Sequence, residues 1–319
     1  MPELARLLNE GSSGPLRTEQ PPLSPLLWTT MLTGRGPLEH GILDFTRFDP
    51  TTGQRQPITS AERRVPAVWN IASAAKRRVG VFGLWATHPA EPVDGTLVSD
   101  RLFSFQHRQP APPSGFAYPE AAAASALRAL AAADAAVDCA RLRHFVADLT
   151  AEECEEARLA EEPYARPISG LRRILIETEV YDRLARAWLA EGTPDLTILY
   201  LQGTDAIGHV FARFAPPRLA SVGEREYQRF SGVPALYFAE IDRLLGEYRR
   251  LAERQGAALL LASDHGFAWG DGRPEALSSL AVATAAKWHR SDGIYLLWRP
   301  APEPSPGRGS AGEPGLLRR

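Results

Sequence analysis

The sequence has few of the residues that define several common classes of protein. Its 319 residues include two cysteines, Cys139 and Cys154, and neither belongs to a C-x-x-C pair. This scarcity argues against a disulfide framework and against a thiolate metal site. Lysine occurs only at positions 76 and 287, and the formal net charge is −2. The chain therefore has no basic surplus of the kind that marks a nucleic-acid-binding surface.

Long uncharged apolar runs are also lacking. Glu3, Arg6 and Glu10 interrupt the first ten positions, which do not fit the apolar core of a signal peptide. No run elsewhere reaches the about 20 apolar residues of a membrane-spanning helix. We therefore expect a cytoplasmic protein that makes no contact with a membrane. The sequence gives no indication of the oligomeric state.

Short apolar segments alternate with longer helical ones along the chain. Strand-like runs cover residues 78–85, 196–201, 257–262 and 294–298, and helical periodicity is clearest at 65–76, 172–189 and 233–254. This alternation favours an α/β fold with a mostly parallel sheet that is flanked by helices. The hydrophobic fraction of 44% is sufficient for a large core.

The same pattern divides the chain into a core and an insertion. We assign residues 1–100 and 193–298 to the N-terminal and C-terminal parts of the α/β core. Residues 101–192 are Ala-rich and then charged and helical, and we interpret them as a helical cap insertion. Residues 299–319 are rich in Pro and Gly, which is typical of a disordered tail.

Carboxylates and imidazoles follow two of the strand-like runs. Asp205 and His209 come after the run at 196–201, and Asp264 and His265 come after the run at 257–262. Ligands of open α/β sheets bind at the carboxyl ends of the strands. A further histidine, His289, precedes the last run. Together these side chains indicate a hydrolytic site with two metal ions.

Four segments resemble the motifs of the type I phosphodiesterase/nucleotide pyrophosphatase family, which belongs to the alkaline phosphatase superfamily. Residues 28–34 (WTTMLTG), followed by 37–42 (PLEHGI), resemble its nucleophile motif. The metal motifs of the family have similar segments here in the same order, which are Asp205-x-x-Gly-His209, Ser-Asp264-His265-Gly and His289-Arg-x-x-Gly-Ile. Each motif alone is weak, whereas four in the family's order are specific.

The resemblance implies an alkaline phosphatase-like fold and a role for each motif residue. Thr30 matches the nucleophile, and Asp264 and His265 match the ligands of the metal that activates it. The second metal would be bound by Asp205, His209 and His289. A threonine hydroxyl is a poor nucleophile at neutral pH, and a divalent metal lowers its pKa while a second neutralises charge on the phosphate. Carboxylate and imidazole ligands suit Zn²⁺, and Mn²⁺ is also possible.

The implied activity is hydrolysis of a small phosphate ester by a phosphodiesterase or nucleotide pyrophosphatase. The family, however, opens with a strand that ends in Asp-Gly, and this Asp is a ligand of the nucleophile-side metal. Here Met1-Pro2-Glu3 resembles the helix that follows that strand. We therefore expect a member of the family that is shortened at both ends. Either the start of the chain is assigned too late, or the protein has lost a central strand and one metal ligand.

Two alternatives stay open at this point. A sulfatase-like or phosphonate hydrolase of the same superfamily would use the same metal pair. A catalytically impaired remnant would bind a ligand or a partner without turnover, and the expected loss of a ligand favours it. His40 is expected to support the turn after the nucleophile motif rather than to take part in catalysis.

Overall fold

The computed structural model describes residues 1–103, 112–275, 277–278 and 284–301. The helices are α1 (Pro2–Glu10), α2 (Ser24–Thr33), α3 (Pro37–His40), α4 (Val68–Ala74), α5 (Ala122–Ala136), α6 (Cys139–Arg143), α7 (Ala151–Leu159), α8 (Pro167–Ala190), α9 (Gly203–Phe211), α10 (Glu224–Phe230) and α11 (Val233–Gln255). The strands are β1 (Ser12–Arg17), β2 (Thr46–Asp49), β3 (Gln54–Pro57), β4 (Val79–Phe82), β5 (Gly95–Val98), β6 (Ala117–Tyr118), β7 (Leu196–Leu199), β8 (Leu259–Ala262), β9 (Gly266–Phe267), β10 (His289–Arg290) and β11 (Asp292–Trp298).

A mixed sheet in the order β6-β5-β4-β7 forms one half of the core. β4 pairs in parallel with β5 and β7, and β6 pairs with β5 in the antiparallel sense. All four residues of β4 are buried, which explains its continuous apolar run. Trp188 of α8 lies against this strand at Gly80, where a Cβ atom would come within 2.4 Å of the indole Nε1. Only glycine permits this approach of helix and sheet.

An antiparallel sheet in the order β1-β11-β8 forms the other half. Leu296 and Trp298 of β11 pack against Leu7 of α1 and Leu245 of α11. The α/β class is therefore confirmed, but the sheet is mixed and not mostly parallel. β1 is one of the strands that the sequence did not predict, because its SSGPLR sequence lacks apolar alternation. It lies at the edge of its sheet, where the proline can be tolerated.

The segment 101–192 contains α5 to α8, and one disulfide joins α6 to α7. Cys139 and Cys154 form this bond, a single disulfide that the argument against a disulfide framework did not anticipate. Disulfides are typical of oxidising compartments, and this one does not favour the cytoplasmic location. The longest helix, α8, contacts β4 and β7 as well as α5 and α7, so it is a layer on the sheet. That the segment caps the site stays a prediction.

Two expectations concern the remaining parts of the chain. Within the residues that the structure describes, no helix is both long and apolar enough to cross a membrane. The predicted tail at 299–319 lies outside the described residues from position 302 onward.

Candidate metal centre

The first two candidate ligands lie on α9, which follows β7. Asp205 is in the first turn of α9 and His209 in its last, and positions four apart share a face of a helix. His209 Nε2 accordingly lies 3.2 Å from Asp205 Oδ1. The glycine between them, Gly208, is required by packing, because a Cβ atom there would come within 2.7 Å of the Phe267 ring.

The other candidate ligands come from the far side of the site, where β8 leads into β9. Asp264 and His265 lie between these strands, and β10 pairs with β9 so that His289 lies opposite Phe267. The His265 and His289 rings stack with centroids 3.7 Å apart and planes 17° apart. At Gly293 a Cβ atom would come within 2.1 Å of the carbonyl oxygen of Ser263. The glycine in the His289 motif thus lets β11 approach the end of β8.

Three imidazoles converge on the carboxylate of Asp205. His289 Nε2 lies 3.5 Å from Asp205 Oδ1, and His265 Nε2 lies 3.9 Å from the same atom. His289 Nε2 is also 3.1 Å from His209 Nε2. The metal motifs therefore come together as their order in the sequence predicts. His265 lies between the two groups, because its Nε2 is 3.7 Å from Asp264 Oδ2 and 3.9 Å from Asp205 Oδ1.

The opposite nitrogen of each ring is held from outside the cluster. His265 Nδ1 contacts the carbonyl oxygen of Gly266 at 3.1 Å, and His289 Nδ1 contacts that of Pro22 at 3.2 Å. Since a carbonyl oxygen only accepts, Nδ1 of both rings carries the proton. In the neutral form of these rings, Nε2 presents a lone pair to a carboxylate, which also only accepts, whereas an imidazolium donates to the carboxylate. A cation in their midst resolves this conflict, and the donor set fits Zn²⁺.

Burial strengthens the case for a cation. Asp205 Oδ1, Asp264 Oδ2 and His265 Nε2 are buried and have no hydrogen-bond partner of good geometry among the described residues. Burial tends to raise the pKa of Asp205, but His209 and then His289 and His265 outweigh it and hold that pKa well below its usual value. Burial raises the pKa of Asp264, and the nearby Asp205 carboxylate adds to the rise. The two carboxyls of the site thus differ in their readiness to ionise.

The segment that leads into α2 lines the same site. The Thr18 hydroxyl donates to the carbonyl oxygen of Asp264 at 2.8 Å, and the carbonyl of Pro22 holds His289. Ser24, the buried first residue of α2, interacts with the Asp264 carboxylate and tends to lower its pKa. Ser24 therefore brings a hydroxyl and a helix N-terminus, which favours anions, to the edge of the cluster.

Thr30, which the sequence indicates as the nucleophile, lies two turns further along α2. Its hydroxyl donates to Glu19 Oε2 at 3.4 Å, and its oxygen is 3.0 Å from His40 Nε2. The hydrogen-bond contacts of the Thr30 hydroxyl are therefore with Glu19 and His40. His40 is fully buried beside the turn after α2, as expected for a supporting residue.

Sequence motifs missed two residues that contact the site. Ser24 lies six positions before Thr30, and its location at the start of a proline-containing helix was the available signal. Ser278 contacts His209 Nδ1 at 2.6 Å and belongs to no motif. No pattern in the sequence distinguishes Ser278 from other serines in polar loops.

Comparison with known proteins gives one match over nearly the whole chain. The family described as Type I phosphodiesterase / nucleotide pyrophosphatase matches residues 1–300. No curated protein matches the sequence significantly.

Two solved structures illustrate the structural similarity. One is phosphonoacetate hydrolase from Sinorhizobium meliloti in complex with phosphonoacetate, with 19% identity and a TM-score of 0.44, covering 86% of this chain and 52% of that one. The other is murine ectonucleotide pyrophosphatase / phosphodiesterase 5 in complex with AMP, with 13% identity and a TM-score of 0.41, covering 83% and 52%. The chain thus spans about half the length of these proteins.

Proposed function

The chain belongs to the type I phosphodiesterase / nucleotide pyrophosphatase family, and from this premise we propose that it is a metal-dependent hydrolase of small phosphate esters. The observation that carries the proposal is the convergence of three imidazole Nε2 atoms on one buried carboxylate oxygen. Asp205, His209, His265 and His289 would hold a divalent metal, most suitably Zn²⁺, with Asp264 beside it. When bound, the metal supplies positive charge that activates a hydroxyl and stabilises the phosphate in the transition state.

The reaction that this arrangement supports is a two-step displacement. A hydroxyl oxygen of α2 forms a bond to phosphorus, and the bond from phosphorus to the leaving alcohol breaks. Water then attacks the phosphorus atom, the bond from phosphorus to the side-chain oxygen breaks, and the phosphate product leaves. The unpaired amide groups in the first turn of α2 would suit an anionic phosphate. A second divalent metal near Asp264 is part of the proposal, as the family resemblance implies.

Two hydroxyls of α2 are candidates for the attack. The family resemblance assigns it to Thr30. Ser24 is the second candidate, because it tends to lower the pKa of the Asp264 carboxyl, whereas the Thr30 hydroxyl hydrogen-bonds with Glu19 and His40. Substitution of each residue by alanine distinguishes the two candidates.

Hydrolysis of bis(4-nitrophenyl) phosphate with added Zn²⁺ or Mn²⁺ tests the proposal. We expect turnover by the chain and a loss of at least about 100-fold in Asp205→Ala, since this variant removes the carboxylate on which the imidazoles converge. Asp94→Ala, at an exposed carboxylate, is the matched control and should keep its activity. Equal rates for Asp205→Ala and Asp94→Ala would refute the site.

The alternatives give different results in the same assay. A sulfatase-like or phosphonate hydrolase would turn over 4-nitrophenyl sulfate or a phosphonate monoester faster than the phosphodiester. A catalytically impaired remnant would bind Zn²⁺ but turn over none of the three substrates.

A further inference from the structure

The three imidazoles of the cluster are not supported in the same way. His265 and His289 are held at Nδ1 by backbone carbonyls, of Gly266 and Pro22 respectively. His209 is held by a side chain, because its Nδ1 lies 2.6 Å from the Ser278 hydroxyl oxygen. Within the described part of the site, the His209 ring is therefore the one whose outer support can be removed by a single substitution.

The other surroundings of His209 leave the orientation of its ring to Ser278. The Phe267 ring meets it edge to face with centroids 5.0 Å apart and limits movement on one side. Nε2 has no donor that fixes it, since its neighbours are Asp205 Oδ1 at 3.2 Å and His289 Nε2 at 3.1 Å. The hydroxyl of Ser278 can accept a hydrogen bond from Nδ1–H, and Nε2 then turns a lone pair toward Asp205.

We propose that Ser278 is a positioning residue that fixes the His209 ring for a divalent metal bound at Asp205, His209, His265 and His289. The inference rests on the proposed function only for the presence of the metal, and it concerns affinity and ring orientation rather than turnover. Ser278 lies on the connection from β9 to β10, between Phe267 and His289. This connection thus links the stacked His265–His289 side of the cluster to α9.

Zinc affinity without substrate tests the inference directly. Competition with a chromophoric chelator is measured for the wild-type chain and for Ser278→Ala, Ser278→Thr and Ser125→Ala. Ser278→Ala should bind Zn²⁺ about 10- to 100-fold more weakly, which is the usual effect of losing an outer partner of a metal-binding histidine. Ser278→Thr keeps the hydroxyl and should stay within a few-fold of the wild type. Ser125→Ala, at an exposed serine of α5 that bonds only to Ala122, should bind like the wild type.

A second readout separates positioning from general damage to the fold. In the ¹⁵N spectrum of the zinc-loaded chain, His209 should be protonated at Nδ1, and the signal should broaden or change tautomer in Ser278→Ala alone. Unchanged affinity in Ser278→Ala, or an equal loss in Ser278→Thr, would overturn the inference, as would a wild-type chain that binds no Zn²⁺. Zinc binding that depends on Ser278 without hydrolysis of any phosphodiester would refute the proposed function and leave the inference intact.

Discussion

At the scale of single residues, the two hydroxyls of α2 differ in what their neighbours allow. His40 accepts the Ile42 N–H at Nδ1, so its neutral ring carries the proton at Nε2 and donates to the Thr30 oxygen. Burial lowers the pKa of His40 and thus favours the neutral ring. The Thr30 hydroxyl therefore donates a hydrogen bond to Glu19 and accepts one from His40. Ser24, the first residue of the helix, instead tends to lower the pKa of the Asp264 carboxyl.

The first prediction compares the two hydroxyls directly. We expect Ser24→Ala to lower kcat by at least about 1,000-fold, as the loss of a nucleophile does, and Thr30→Ala to act mainly on stability. Mass spectrometry of acid-quenched enzyme, with fragmentation of the phosphorylated peptide, should place the phosphate on Ser24. Phosphorylation of Thr30, together with an inactive Thr30→Ala variant, would show that Thr30 is the nucleophile, as the family resemblance implies. Ser24→Thr, which keeps a hydroxyl, should retain measurable activity.

The second prediction concerns a carboxyl outside the cluster. Glu177 of α8 is buried, and burial raises its pKa from 4.5 to about 8, against Arg173, which lowers it. Because the pKa of Glu177 is raised in the folded state, the contribution of its protonated carboxyl to the free energy of unfolding is fully present below pH 4.5. It is lost as the pH rises to about 8, by about 1.4 kcal/mol per pH unit within this window.

Glu177→Gln keeps the shape of the neutral acid and removes the titration. We expect its free energy of unfolding, measured with urea at pH 5 and at pH 8, to fall less between the two values than that of the wild type. Glu120→Gln, at an exposed position, should follow the wild type. A wild-type pH dependence in Glu177→Gln would show that Glu177 is not the group responsible.

At the scale of elements, the sequence predicted the segments with strong periodicity and missed those fixed by neighbours. The apolar runs at β4, β7, β8 and β11 and the amphipathic pattern of α11 are properties of each segment alone. β1 forms because β11 offers its edge, and its own sequence has Gly and Pro where a strand pattern is expected. The pairing sense is likewise a property of two strands together, so the antiparallel β11 could not be read from its apolar run.

The two sheets end in free edges at the site. Among the described residues β7 pairs only with β4, and β8 pairs only with β11. Both strands are strongly apolar, yet β7 is only half-buried along its length and Leu260 of β8 is 65% exposed. Their carboxyl ends meet, because Asp205 follows β7 and His265 follows β8. Unpaired edges of apolar strands favour the addition of another strand.

The third prediction is that a strand can be added at the unpaired edge of β7 or of β8. A short apolar strand ending in Asp-Gly, fused upstream of Met1, should raise the Tm and the rate of phosphodiester hydrolysis, if it pairs with such an edge and brings a carboxylate to the site. The same extension with proline in the strand cannot donate the required hydrogen bonds and should have no effect. An extension with Asn-Gly should raise the Tm without the gain in rate. Equal Tm values for all chains would contradict the prediction that an added strand pairs with an unpaired edge.

At the scale of the whole molecule, the candidate centre joins distant parts of the chain. Pro22 before α2, Asp205 on α9, His265 after β8 and His289 on β10 all contribute to it. The motif order predicts that these residues come together, because each motif includes a glycine or strand end that fixes its backbone. The sequence did not predict that the His265 ring lies between Asp264 and Asp205, or that Ser278 contacts His209. Both depend on how β9, β10 and the segment 18–24 pack against α9, and no local pattern encodes this packing.

The fourth prediction follows from this long-range connection. A metal that binds the folded centre and not the unfolded chain should stabilise the entire fold, by about 4 kcal/mol at a free Zn²⁺ concentration 1,000-fold above Kd. A chelator should therefore lower the Tm of the wild type, and the Tm of His289→Ala should respond to neither Zn²⁺ nor chelator. The ratio of tightly bound zinc to protein, after removal of loose ions, should be nearer one than two, because ligand atoms of Asp205, His265 and His289 lie within 4.8 Å of one another, whereas the Asp264 carboxylate has His265 Nε2 at 3.7 Å. A stable ratio of two would show that Asp264 acquires further ligands and completes a second site.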